Sequence, residues 1–130
     1  MARNNIVFVQ IRASTVTSGT TTSTEIDMGP YINVGGREVI GVWAPGRDST
    51  VTTDVSFANK FQESATTVDS DFADITGAAF TTLGEAFSLA FESIEFAVTK
   101  RYLRSYITLS GTTAACLDYT GVILTARFDT

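Results

Sequence analysis

The chain has 130 residues, a formal net charge of −5 and no histidine. The length fits one domain, and the acidic balance excludes both a general nucleic-acid binder and a protein that docks on anionic lipid, since each needs a basic surface. Without histidine, neither a Ser-His-Asp triad nor a Cys-His pair can be built. The single cysteine, Cys116, leaves no internal disulfide and is expected to be a small buried side chain. We expect no cofactor and no metal.

The N-terminal part of the chain predicts one strand followed by a loop. Residues 6–12, I-V-F-V-Q-I-R, alternate so that Arg12 shares a face with Phe8. This apolar run is too short for a signal peptide, so the protein is expected to be made in a cytoplasm. The threonine-rich stretch 13–24 is expected to be a loop, because such segments bury too little apolar area to form a core. The extreme terminus, 1–5, is a candidate for an extended arm.

Short strands separated by turn signals follow along the rest of the chain. They are predicted over 25–28, 37–44, 51–63, 72–75, 78–83, 90–98, 101–109 and 119–128. The stretch 84–98 fits two patterns, since Phe87, Phe91 and Ile94 are spaced as on a helix while Ile94 and Phe96 alternate as in a strand. We favour a strand over 90–98 with a looped or helical turn before it. About eight short strands with little helix predict an antiparallel, jelly-roll-like β-sandwich, a single domain over 1–130.

Acidic residues provide the few candidate sites for chemistry. Asp69, Asp71 and Asp74 lie close together in V-D-S-D-F-A-D, where hard oxygen ligands suit Ca²⁺, but the closing glutamate of a calcium loop is missing. A solvated loop is the preferred interpretation.

Two pairs, Glu92 with Glu95 and Glu63 with Asp54, supply the carboxylates that glycoside hydrolysis needs. The outer face of a sheet explains these pairs equally well. We therefore expect no enzymatic activity.

The run K-R-Y-L-R-S-Y-I-T-L-S-G-T-T, 100–113, concentrates cations and tyrosines in one strand. Alternation puts Tyr102, Arg104 and Tyr106 on one face, opposite Leu103. Tyrosine and arginine are enriched at protein interfaces, so these three residues are the candidates for protein contact. The alternative is cross-strand packing with Arg104 paired to a neighbouring acid. Stacking of the tyrosines on single-stranded nucleic acid is disfavoured by the acidic balance.

Three motifs resemble a group of small virion proteins of tailed bacteriophages. They are K-F-Q-E-S (60–64), F-A-D-I-T-G-A-A-F-T (72–81) and the basic run at 100–113, and the likeness covers roughly 55–113 well. The phenylalanine-containing segment 84–98 departs from the shorter members of the group. The resemblance implies a capsid decoration (cement) protein, a β-sandwich on the outer head that bridges major capsid protein subunits and has no cofactor. We also expect location in the virion, possible self-association and, from the acidic balance, no nucleic-acid or membrane partner.

Two other functions remain open from the sequence. One is a different phage structural part, such as a tail tube, head-tail joining or fibre-base protein. The other is a carbohydrate-binding sandwich module that would use Trp43 and the tyrosines as sugar platforms. Trp43 lies in an apolar strand, which favours core packing over a sugar platform.

Overall fold

The computed structural model describes residues 3–17, 19–30, 37–47, 55–84, 89–111 and 115–128. These residues form eleven strands and one short 3₁₀ turn over Asp69–Asp71, with no α-helix among them. The strands are β1 (Arg3–Thr17), β2 (Gly19–Thr22), β3 (Ile26–Asp27), β4 (Arg37–Trp43), β5 (Gly46–Arg47), β6 (Ser56–Ser64), β7 (Ala73–Ala79), β8 (Leu83–Gly84), β9 (Glu92–Val98), β10 (Tyr102–Ser110) and β11 (Ala115–Phe128).

The strands form two antiparallel sheets. Sheet I has the order β1-β11-β4-β9, with the short β5 also paired to β11; sheet II has the order β2-β10-β6-β7, with β3 on β10 and β8 on β6. Along the chain the pairs are nested: β1 pairs with β11, β2 and β3 with β10, β4 with β9, and β6 with β7. This is a long hairpin rolled into two layers, the arrangement of a jelly roll. The predicted β-sandwich is confirmed.

Period-two alternation places the core between the sheets. On β6, Phe57 and Phe61 are fully buried, and Leu103, Ile107 and Leu109 of the neighbouring β10 lie on the same inner face of sheet II. Sheet I contributes, among others, Trp43, Phe96, Val98, Val122 and Leu124. The fully buried Cys116 lies among them, as predicted.

Close packing across the core requires a glycine at one inward-facing position of β4. A Cβ on Gly41 would lie 2.5 Å from Cε2 of Phe61 and 2.9 Å from Cε1 of Phe96. Those two rings stack with their centroids 4.8 Å apart. The missing side chain at Gly41 therefore makes room for an aromatic pair that joins the two sheets.

The prediction of a threonine-rich loop over 13–24 is wrong for most of that stretch. Residues 13–17 continue β1 against β11, and Gly19–Thr22 forms β2 against β10. Threonine is β-branched and suits a solvated strand, so the backbone is paired while most of the side chains stay exposed. The predicted arm over 1–5 is likewise wrong for residues 3–5, which pair with β11; residues 1–2 lie outside the described part.

The face predicted for Arg12 is also wrong, because β1 contains a bulge. The register of β1 on β11 shifts between Gln10 and Arg12. Before the shift Phe8 points outward and Val9 packs against the core. One extra residue reverses the alternation, so that Arg12 points inward with Val16.

The ambiguous stretch 84–98 ends in a strand, as favoured from the sequence. Glu92–Val98 pairs along its whole length with β4, and its buried side chains Phe96 and Val98 alternate with exposed ones. The predicted turn before it falls on 85–88, which lie outside the described residues. The strand candidate at 72–75 and the start of the candidate at 78–83 form one strand, β7, which passes through Gly77 at a φ of 78°. Residues 80–82 lie outside any strand, and Leu83 begins β8.

Candidate protein interface

The predicted contact residues of β10 lie on the outer face of sheet II, but Arg104 is not free to meet a partner. Its guanidinium donates from Nε to Oε1 of Gln62 (2.9 Å) and from Nη1 to Oδ1 of Asp69. The ring of Phe72 covers it, with the guanidinium carbon 4.1 Å from the ring centroid. Arg104 is buried as a result. The structure therefore matches the alternative given for this residue, an arginine paired with a neighbouring acid.

The two tyrosines beside Arg104 are partly exposed and each lies near a cation. Nζ of Lys60 is 4.9 Å from the ring centroid of Tyr106, and the guanidinium carbon of Arg101 is 5.1 Å from that of Tyr102. Both cations also form ion pairs with carboxylates; Lys60, for example, pairs with Asp74. For Tyr102 and Tyr106, contact with a protein partner stays a prediction.

The three aspartates of the acidic cluster turn to different partners. Asp69 binds Arg104, Asp71 accepts a hydrogen bond from Thr66 Oγ1 (2.6 Å), and Asp74 accepts from Lys60 Nζ (2.8 Å) and also from Gln62. The bond from Lys60 lowers the pKa of the Asp74 carboxyl, with a further contribution from Gln62. Within the described ranges no three acidic or thiol side chains converge on one point where a metal ion would lie.

The carboxylates considered for glycoside chemistry also have structural roles. Glu63 is buried and accepts hydrogen bonds from the backbone N–H and the hydroxyl of Thr99 (2.9 and 2.7 Å) and from the N–H of Lys100 (3.3 Å). It thereby fixes the turn between β9 and β10. Glu92 accepts from the N–H and hydroxyl of Thr81, a link between the edges of the two sheets. Asp54 lies outside the described residues.

A buried polar chain crosses the core. Asp118, on β11, accepts from Trp43 Nε1 (2.6 Å), from Thr120 Oγ1 (2.9 Å) and from Arg12 Nη1 (3.2 Å). Thr120 Oγ1 in turn accepts from Asn59 Nδ2 (3.0 Å) on the opposite sheet. Burial raises the pKa of the Asp118 carboxyl, while the hydrogen bonds from Thr120, Trp43 and Arg12 act in the opposite direction.

The hydrogen bond from Trp43 to Asp118 is part of this buried polar network and holds the indole in the core. The indole is 1% exposed and its ring packs against Phe57, with the centroids 5.1 Å apart. Its one polar atom is used by Asp118. An indole enclosed in this way presents no ring face to a sugar, so core packing, the preferred prediction, is what the structure contains.

The outer face of sheet I has a different character, because large apolar side chains lie on it in solvent. On β11 the inward residues alternate with Leu117 and Tyr119, which are 52% and 37% exposed. Phe8, on the neighbouring β1, is 45% exposed, and its ring stacks on that of Tyr119 at an interplanar angle of 6°. We call Phe8, Leu89, Leu117 and Tyr119 the apolar patch.

Glycines at two outward-facing positions let the side chains of the apolar patch lie flat against the sheet. A Cβ on Gly121 would lie 2.5 Å from Cζ of Phe8, so the phenyl ring rests directly on the β11 backbone. At Gly46, an added Cβ would have Leu89 Cδ2 at 3.2 Å and Leu117 Cδ1 at 3.6 Å. Leu89, 82% exposed, is therefore a neighbour of Leu117 across Gly46. The patch is continuous from β1 to the segment before β9.

Acidic residues flank the apolar patch on the β4–β9 side. Glu38 and Glu95 are both exposed, and the register places Glu38 beside Ala97 and Ile40 beside Glu95. Ile40 and Ile123, which pair with each other, are half-buried between these acids and Phe8. A partner surface that fits this face would be apolar at its centre and basic along one side.

The apolar patch was not predicted from the sequence, although the pattern of two strands indicates it. Strands β1 and β11 are apolar on both faces, since Phe8 opposes Val9 in direction and Leu117 opposes Cys116. A strand that is apolar on both faces is usually covered by other secondary structure on each face. The chain has no predicted helix that would cover the second face, so an exposed apolar surface followed from that pattern.

A groove of about 250 Å³ lies on the outer side of sheet II. Small side chains such as Ala58 and Ala79 line it, together with Lys60, Thr82 and Tyr106. Its one cation is already paired with Asp74. Within the described part of the chain, no helix is long and apolar enough to span a bilayer.

Comparison with known proteins gives a likeness of fold. The sequence matches no protein-family model and no curated protein. Among solved structures, those of infectious bursal disease virus, strains Gt and Gx, contain a similar chain, with TM-scores of 0.57 and 0.50 and identities of 10% and 11%. In both, 95% of this chain aligns with 32% of the viral chain, so it spans about a third of that chain's length.

A third structure is the CBM22-1 xylan-binding domain of Paenibacillus barcinonensis Xyn10C. It aligns over 90% of this chain and 84% of the domain, with 8% identity and a TM-score of 0.47. The TM-scores of the two viral structures show a likeness of fold. Identities this low leave function to be argued from the surface.

Proposed function

We propose that this chain is a non-enzymatic structural protein of a virus particle, and more specifically a decoration protein on the outer surface of a tailed-phage head. In this proposal the apolar patch binds the major capsid protein. The patch is the observation that carries the proposal, because it is a flat apolar surface on the outside of a sandwich whose core is already complete. Exposed apolar surfaces of this kind mark protein–protein contact sites.

Three further observations support a structural role. Most of the described acidic side chains considered for catalysis or metal binding, such as Glu63 and Asp74, are held by backbone N–H groups, hydroxyls or cations of the same chain. The fold is also similar to a chain in a virus structure, and jelly rolls are frequent in viral capsids. The sequence resemblance over 55–113 points to the same class of protein.

The charge favours a position on the outside of the head. A net charge of −5 is repelled by packaged nucleic acid, and the proposal includes no nucleic-acid, membrane or cofactor partner. The exposed Glu38 and Glu95 beside the apolar patch fit a capsid surface with basic residues around an apolar centre. Weak single contacts become durable when many copies bind one rigid shell. Assembly would take place in the host cytoplasm.

The proposal is tested by binding to phage heads that were assembled without this protein. We expect Leu117→Asp to raise the Kd for heads by about 30-fold or more, which corresponds to the ~2 kcal/mol of an interface hot spot. The matched control is Val68→Asp, since Val68 is also apolar and 55% exposed but lies in the loop before the 3₁₀ turn. Equal binding of the two variants in a co-sedimentation assay would contradict the proposal.

The placement on the head, as opposed to the tail or the head-tail joint, is tested by copy number. A decoration protein is present in hundreds of copies, whereas a joining protein is present in about six to twelve. We expect the band of this protein in purified particles to be near-stoichiometric with that of the major capsid protein. A ratio that corresponds to a dozen copies or fewer would assign the chain to the tail or the joint instead.

A further inference from the structure

The first strand of sheet I has a long edge to which none of the described residues is paired. Within the described part of the chain, β1 pairs with β11 alone and is the end strand of its sheet. It has 15 residues, about three times the length of a usual strand. An edge of that length presents a row of backbone N–H and C=O groups that another strand can pair with.

The common protections of an edge strand are few on β1. Proline is absent from Arg3–Thr17, and the charged residues are Arg3 and Arg12. Arg12 points inward to Asp118, so it does not guard the edge. The bulge between Gln10 and Arg12 divides the edge in two and leaves 4–10 as an uninterrupted stretch without charge.

We propose that β1 of one copy pairs antiparallel with β1 of a second copy, so that the two form a continuous sheet across a two-fold axis. The stretch 4–10 reads N-N-I-V-F-V-Q, with amide residues at both ends and four apolar residues between them. Reversed, it has nearly the same pattern, which is what an isologous interface between identical strands requires.

The geometry of the sheet fixes the register of this pair. A two-fold axis perpendicular to the sheet keeps both outer faces on one side, so facing residues must have numbers of the same parity. Alignment of amide with amide then places Asn4 opposite Gln10 of the second copy and Val7 opposite Val7. The exposed Phe8 lies at this edge. The dimer therefore sets two apolar patches side by side on one surface. The inference does not depend on the proposed function.

The first test is the mass of the unmodified chain in solution, measured by light scattering over a range of concentrations. We expect a dimer, with a mass of twice 13.9 kDa. A mass of 13.9 kDa at every concentration up to the millimolar range would overturn it.

The second test is the register, by disulfide formation under mild oxidation. Asn4→Cys with Gln10→Cys is expected to give a covalent dimer in high yield, since the two positions face each other between copies. They lie about 20 Å apart along one strand and cannot bridge within a copy. The control, Asn4→Cys with Thr15→Cys, places two thiols on the same strand at positions that are out of register between copies. Wild-type chain, with only the buried Cys116, is the blank.

The expected result is a dimer band at least fivefold stronger for the 4/10 pair than for the 4/15 pair. Equal yields, or a stronger band for 4/15, would overturn the proposed pairing. Since both measurements use the free protein, they can fail while head binding through the apolar patch succeeds, and the reverse is also possible.

Discussion

Asp118 gives the most severe test of how the two sheets are held together. Asp118→Ala removes the acceptor of Trp43 Nε1 and Thr120 Oγ1 and leaves the largely buried guanidinium of Arg12 without its carboxylate. Removing one partner of a buried ion pair costs about 3–5 kcal/mol, and a stranded indole N–H contributes to that cost. We expect a loss of about 4 kcal/mol in the free energy of unfolding, and for a chain of this size a fall in Tm of roughly 12–16 °C.

The assay is urea unfolding followed by the fluorescence of Trp43, the one tryptophan in the chain. A second variant separates the unpaired charge from the lost packing. In Asp118→Ala with Arg12→Met the buried cation is gone, so the double variant should be more stable than Asp118→Ala by about 1–3 kcal/mol. A single variant that loses under 1 kcal/mol, or a double variant whose losses simply add, would refute the reasoning.

Three further predictions concern packing, pH and the predicted contact strand. Gly41→Ala places a methyl group against the rings of Phe61 and Phe96 and should destabilise the fold by about 1–3 kcal/mol, measured by the same urea titration. Because burial raises the folded-state pKa of Asp118 above 3.8, its contribution to stability grows as pH falls from neutral through that pKa toward 3.8. The stability of wild type relative to Asp118→Asn should therefore increase over that range, and a decrease would show that the sign is wrong. Arg104→Lys loses the forked contact to its two acceptors and should cost about 1–2 kcal/mol of stability while leaving head binding unchanged; a stability equal to wild type with weakened head binding would instead make Arg104 an interface residue.

The strands were predictable because their signal is local. In β6 and β10 the period-two pattern can be read from neighbouring positions of the sequence. The structure buries the residues that this pattern assigns to the core, such as Phe57 and Phe61 on β6 and Leu103 and Ile107 on β10. The threonine-rich β2 was not predictable in this way. A strand with four exposed side chains has no apolar contrast, and only its pairing with β10, far along the chain, makes it a strand.

The polar core was hidden for a related reason. Arg12 and Asp118 are 106 residues apart, and the bulge that turns Arg12 inward leaves no mark in the composition of I-V-F-V-Q-I-R. The same applies to Arg104, whose alternation correctly gives the outer face of sheet II but does not reveal that Phe72 covers it. Sequence pattern fixes the face of a strand, whereas burial on that face depends on what folds over it.

The proposed function requires that the outer face of sheet I attaches the chain to a particle. The most direct measurement is hydroxyl-radical footprinting of side chains in the free and the head-bound protein, read by mass spectrometry. We expect the extent of oxidation of Phe8, Leu117 and Tyr119 to fall sharply on binding, while that of Val68, Tyr102 and Tyr106 stays the same. Protection of Tyr102 and Tyr106 with an unchanged apolar patch would contradict it, and would move the interface to sheet II.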